Sequence, residues 1–261
     1  MSDVLDAFTE TQFTDNGETR TVYRAGSGPG VVVMSEMPGI TPKVAEFAQR
    51  VVDAGFTVAM PDLFGTPGKA LSAPYVMKSM TQGCVSREFA TWALNRTSPI
   101  IDWLRALARD LHDKCGGPGV GAIGMCFTGG FALAMAVDEN MLAPVLSQPS
   151  LPFGVGTARK RALGLSDADL ARVTDRADLC VLAMRFTNDK LSPAERFEHL
   201  REVLGDRVIT IEIENRPGQN PHNIPKAAHC VVTEHLVDEP GHPTRDALYR
   251  VLDFFKQRLT Q

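Results

Sequence analysis

Val120-Gly121-Ala122-Ile123-Gly124-Met125-Cys126-Phe127-Thr128-Gly129-Gly130-Phe131-Ala132-Leu133-Ala134 is the stretch on which the fold turns. Val120 to Met125 reads as a strand, and Gly129 to Val137 as a helix. Cys126 stands at a junction too short for an ordinary loop. So sharp a turn needs a neighbour without a bulky side chain, which Gly124 supplies. The helix must also pass close to the strand, which Gly129 and Gly130 permit. This is the strand–turn–helix context of a nucleophile elbow, with cysteine where serine is commoner. Backbone N–H groups at the helix start favour a thiolate, and the Phe127 N–H is a candidate oxyanion donor. A buried cysteine in an ordinary turn is the competing explanation.

Working outward, strands and helices alternate along the chain. Strands are expected at Thr21–Ala25, Val31–Ser35, Thr57–Met60, Pro144–Ser147, Leu179–Phe186 and Val208–Glu214. Helices are expected over 42–54, 98–114, 193–204 and 244–259. That alternation predicts an α/β fold, a mostly parallel sheet with helices on both faces. With 261 residues, no internal repeat and no linker-like shift in composition, the chain reads as a single domain over 1–261. Excursions at about 63–97 and 148–177 each follow a strand, so both emerge at the carboxyl edge, where open α/β sheets bind ligands. Ser166-Asp167-Ala168-Asp169 is a possible helix start in the second.

Composition excludes several classes. Hydrophobic residues make up 44%, enough for a sizeable core. Lys plus Arg is 27 against 31 for Asp plus Glu, and the net charge of −4 argues against nucleic-acid partners. No apolar stretch is long enough to span a membrane. The acidic start Met1-Ser2-Asp3 lacks a signal peptide's pattern, so a soluble, cytoplasmic protein is expected. The five cysteines are widely spaced, without a Cys-x-x-Cys pair, which points to reduced thiols rather than disulfides or structural zinc.

A nucleophile needs a base and the base an orienter, usually in the order nucleophile, acid, His. Asp189 follows the strand ending at Phe186, although a role as a turn residue competes. His229 follows the strand ending at Glu214. His222, in the Pro-rich loop 217–225, is its rival, whereas His235 and His242 read as surface residues. Glu36 follows the strand ending at Ser35; it either partners the Cys126 thiol or is a solvated loop residue. The Met37 N–H lies where the second oxyanion donor usually arises.

Together these residues resemble the dienelactone hydrolase family of the α/β-hydrolase fold, over about Val31 to Leu259. The shared features are the Gly-x-Cys elbow, Glu36 after the early strand, and Asp189 and His229 after later ones. The phrase Ala227-Ala228-His229-Cys230 resembles the segment around the family's catalytic His. The resemblance implies cleavage of an enol-lactone or similar small-molecule ester by a Cys126–His229–Asp189 triad. It also implies that Glu36 partners the thiol until substrate arrives, and that no metal or organic cofactor is needed. Thr128 departs from the pattern, standing where the family usually has glycine. Arginines hold the substrate carboxylate in the family; Thr233 occupies one such position and Arg87 corresponds to the other. A broader carboxylesterase or thioesterase on the same triad is one alternative. A non-catalytic ligand-binding or redox-responsive protein is another.

Overall fold

The computed structural model describes residues 4–85 and 98–260. Its strands are β1 (Thr9–Asp15), β2 (Glu18–Ala25), β3 (Gly30–Met34), β4 (Thr57–Pro61), β5 (Val120–Met125), β6 (Met141–Ser147), β7 (Val181–Phe186) and β8 (Val208–Ile213). They form one sheet in the order β1-β2-β4-β3-β5-β6-β7-β8. The run from β4 to β8 is parallel, and the β1–β2 hairpin adds antiparallel to β4. Every residue of β3, β5 and β7 is buried, as expected of parallel strands covered on both sides.

The covering helices are amphipathic. On one face α1 (Pro42–Asp53) and α8 (Pro243–Leu259) pack Val44, Phe47, Val51, Val251 and Phe255 against the sheet. On the other, α3 (Pro99–Cys115) contributes Ile101, Leu104 and Leu107. Thr41 caps α1 by accepting from the Val44 N–H at 3.3 Å, with Pro42 next, a combination that starts helices well.

Four expectations are corrected. A strand, β1, precedes the first one expected; it pairs with β2 through a turn at Asn16-Gly17, both at positive φ (47° and 82°). The helix after the elbow, α4, covers only Phe131–Met135, behind a 3-10 turn at Cys126–Thr128. Gly129 and Gly130 are poor helix formers and delay its start. Strand β6 begins at Met141, three residues before Pro144. Pairing with β7 starts only at Val145, so the missing N–H of Pro144 breaks no bond on that side. His235 is half-buried rather than a surface residue.

The first excursion contains helix α2 (Ala73–Val85). The second contains α5 (Thr157–Arg161) and α6 (Asp167–Asp175), the latter capped by Ser166 as its sequence suggests. Arg196, on α7 (Ala194–Leu204), holds the second excursion in place. The residue is 2% exposed, and its guanidinium donates to the carbonyls of Pro149, Pro152, Arg159 and Ala162. Burial draws its pKa down to about 10.

Candidate active site

Cys126 follows β5 with φ at +55° and is 7% exposed. A non-glycine residue in this left-handed region stores about 1–3 kcal/mol of strain, which the surroundings must hold. Gly124 is obligatory, since a Cβ there would lie 1.9 Å from the Thr128 carbonyl oxygen. At Gly129 it would lie 2.5 Å from Pro149 Cα. Thr128 supplies a brace that its sequence position does not suggest. Its Oγ1 accepts from the Met125 N–H at 2.9 Å. The same hydroxyl lies 3.1 Å from the Met34 carbonyl and 3.0 Å from that of Met125, tying the ends of β3 and β5 together. The β-branched residue is thus accommodated through its hydroxyl.

Asp189 and His229 follow β7 and β8. His229 Nδ1 lies 2.6 Å from Asp189 Oδ2, while Asp189 Oδ1 accepts from the Leu191 N–H at 2.9 Å. Asp189 therefore fills both roles that its sequence allows, turn residue and partner of the imidazole. Buried Arg185 brackets this turn, donating to the carbonyls of Thr187 and Ser192 and pairing with Glu212. The two loops are stitched together. Asn188 donates to Asn215 Oδ1 and to the Lys226 carbonyl, and Asn215 donates to the Pro225 carbonyl.

Cys126 and Asp189 both act on the His229 side chain. Burial works against its charged form, but the Cys126 charge and the Asp189 hydrogen bond outweigh it and carry the pKa well above 6.5. His222 lies beside His242, with ring centroids 5.2 Å apart, on the flank formed by β8 and α8. His235 takes a supporting part: its Nδ1 accepts from the Cys230 N–H at 3.2 Å and, at 3.4 Å, from that of His229.

Glu36 is 1% exposed, which excludes the solvated-loop alternative. Burial raises its pKa, opposed by hydrogen bonds from the Cys230 thiol and the Thr233 hydroxyl. Gln148 Nε2 donates to its other oxygen at 3.0 Å. Thr233 is thus spent on Glu36. Gln148, fully buried at φ +36°, also accepts from Ser147 Oγ and from the Val231 N–H at 3.4 Å. Ser150, two residues on, places its hydroxyl 3.3 Å from His229 Nε2. No signal in Gln148-Pro149-Ser150 marked either residue, because their partners come from distant parts of the chain.

Among the described residues the Met37 N–H donates no hydrogen bond, and the Phe127 N–H opens the turn at Cys126. The Phe127 ring packs edge-on against Phe153 of the second excursion, at 5.4 Å. A groove of about 310 Å³ between 188–191 and 226–229 opens on Asp189 and His229. Arg87 lies outside the described residues. No cluster of three or more His, Cys, Asp or Glu suited to a metal occurs among those described, nor does a helix long and apolar enough to cross a membrane.

Strand order and elbow together define the α/β-hydrolase fold. The model of the dienelactone hydrolase family matches residues 19–259, and the chain belongs to that family of ester hydrolases. It is 25% identical over 241 residues to a carboxymethylenebutenolidase from Rhodococcus opacus, an alignment covering 90% of this chain and 83% of the relative. Among solved structures, it resembles a dienelactone hydrolase-like promiscuous phosphotriesterase from metagenomic libraries at a TM-score of 0.64. Identity there is 19%, with 97% of this chain and 98% of the other covered. The dienelactone hydrolase from Anabaena variabilis ATCC 29413 gives a TM-score of 0.58 at 16% identity, covering 97% and 99% of the two chains. At such identities the solved structures speak for the fold.

Proposed function

We propose that this single-domain chain cleaves an activated ester or enol-lactone through an acyl-enzyme on Cys126. The reading rests above all on one observation: a buried cysteine on a left-handed bend acts electrostatically on a histidine whose Nδ1 lies 2.6 Å from a carboxylate. The Cys126 thiolate adds to the carbonyl carbon, and the oxyanion is received by the N–H groups of Met37 and Phe127. The carbon–oxygen bond to the enol breaks as His229 Nε2–H protonates the departing oxygen. Water, losing its proton to His229, then attacks the thioester and releases Cys126. Asp189 orients the imidazole throughout, and Glu36, held by Cys230, Thr233 and Gln148 rather than by Cys126, acts on the His229 charge.

The choice of nucleophile narrows the substrate. A tetrahedral intermediate built on sulfur expels the better leaving group. An alkoxide loses to the thiolate, whereas an enolate, a phenolate or another thiolate competes. An enol-lactone also accords with the name of the Rhodococcus opacus relative. A cytoplasmic setting, where widely spaced thiols stay reduced, belongs to the same reading, as does a role for Arg87 in holding substrate.

The test is intact-protein mass spectrometry after brief exposure to an activated aryl ester, with peptide mapping. An acyl adduct on Cys126 is expected. Turnover with no adduct there, and undiminished in Cys126→Ala, overturns the reading. Comparing an enol-lactone with an acyl thioester separates lactonase from thioesterase specificity.

A further inference from the structure

Glu36 is a buried carboxyl group, and among the described residues no lysine or arginine pairs with it. A buried charge without a counterion is costly, yet three uncharged side chains, from Cys230, Thr233 and Gln148, hold its oxygens. Cys230 and Thr233 belong to the loop that carries His229. Gln148 comes from the end of β6, and all four of its polar atoms are engaged. Its N–H donates to the Met184 carbonyl of β7 at 2.8 Å, and its carbonyl accepts from Ser150 Oγ at 3.1 Å. Oε1 accepts from Ser147 Oγ and, at 3.4 Å, from the Val231 N–H; Nε2 lies 3.0 Å from Glu36 Oε2. The Val231 N–H fixes which way round the amide sits. A backbone N–H can only donate, so the atom facing it is the oxygen, and the NH2 group is left to donate to Glu36. The side chain thus ties Glu36, after β3, to the backbone two residues beyond His229. It does so from a left-handed φ of +36°, and strain of this kind gathers at functional sites.

We infer that Gln148 is a positioning residue: its amide holds Glu36 to the His229 loop, where the Glu36 carboxylate favours the imidazolium formed as water attacks the acyl-enzyme. The inference rests on the reading of Cys126 as nucleophile and His229 as base. In that step the water oxygen bonds to the thioester carbon and its proton passes to His229. The sulfur is then bonded to the acyl group and carries no charge, so carboxylates must offset the new positive charge. Asp189 does so through Nδ1, and Glu36 is the second carboxylate on which the His229 charge acts favourably, with Glu234 opposing. An attraction present only once the proton has moved lowers the barrier rather than tightening substrate binding.

The readout is the decay of the acyl adduct on Cys126 after a brief pulse of an activated aryl ester, followed by intact mass spectrometry. Substrate binding does not enter that rate. Gln148→Met, which keeps the length of the side chain without its amide, should slow the decay roughly tenfold in a protein that remains folded. Glu36→Gln should slow it as well. Adding Gln148→Met to Glu36→Gln should then bring little further loss, because Gln148 has no carboxylate left to place. Equal losses from Gln148→Met in both backgrounds mean a role in packing alone and overturn the inference. Unchanged decay in either single variant overturns it too, while the adduct itself still upholds Cys126 as the nucleophile. An adduct that never forms removes the earlier reading and this one together. If Gln148→Met does not fold, Gln148→Glu takes its place in the same cycle. It keeps an acceptor for the Val231 N–H and loses only the donor toward Glu36.

Discussion

Cys126 carries backbone strain that a free chain would relax, and the side chains around it hold it there. Its replacement should therefore separate chemistry from folding. Cys126→Ala should lower kcat/KM on an activated aryl ester by about 10⁴ or more while leaving the circular dichroism spectrum unchanged. Asp189→Asn should bring a loss on the order of 10⁴, because an amide that donates to Nδ1 fixes the wrong tautomer. The Leu191 N–H would keep an amide oxygen to donate to, so the turn should survive. Rates and thermal midpoints of both variants check this; a loss of activity matched by a loss of fold would count against it.

The elbow's bend is maintained by a glycine's missing Cβ, a threonine hydroxyl and a loop pinned by arginine. Thr128→Val keeps the shape of the side chain but leaves the Met125 N–H without its acceptor. It should cost about 1–3 kcal/mol in denaturant titration and lower activity through movement of the β5 end. Arg196→Lys retains the charge but loses the planar fork that serves four carbonyls at once. A stability loss of about 2–4 kcal/mol and faster proteolysis within 149–162 are expected; wild-type behaviour in both assays would refute the clamp.

At this scale the sequence was legible where local rules act alone. The alternation of strands and helices, the cap at Ser166 and the strand ends bearing Glu36, Asp189 and His229 could all be read in advance. The short α4 helix was not, because paired glycines serve close packing at the elbow and oppose helix formation together. Strand β1 escapes the pattern although Asn16-Gly17 is a strong hairpin signal, since Thr9–Asp15 carries one apolar residue, Phe13, and buries none fully. The partners of Glu36 were unreadable: Gln148, Cys230 and Thr233 reach it across 112 to 197 positions.

For the molecule as a whole, burial of titratable groups makes stability depend on pH. His229 has a folded pKa well above 6.5, so its contribution is complete below about pH 6.5 and fades as pH rises through the folded value. The stability advantage of the wild type over His229→Gln should accordingly shrink between pH 6 and pH 9, which chemical denaturation can measure. Asp62 behaves in the complementary way. Burial lifts its pKa to about 6, so ionising it opposes folding increasingly between 3.8 and 6. Asp62→Asn should stabilise the protein at pH 8 but not at pH 3.5.

The hydrogen bonds from Asn188 to Lys226 and from Asn215 to Pro225 fasten the carboxylate and the imidazole into a common block, whereas the sulfur rides on the central strands. Solvent shielding of amides should partition accordingly. Deuterium should enter the 187–191 and 225–229 backbones with one shared time course, while the segment around Gly129 follows a separate, slower clock.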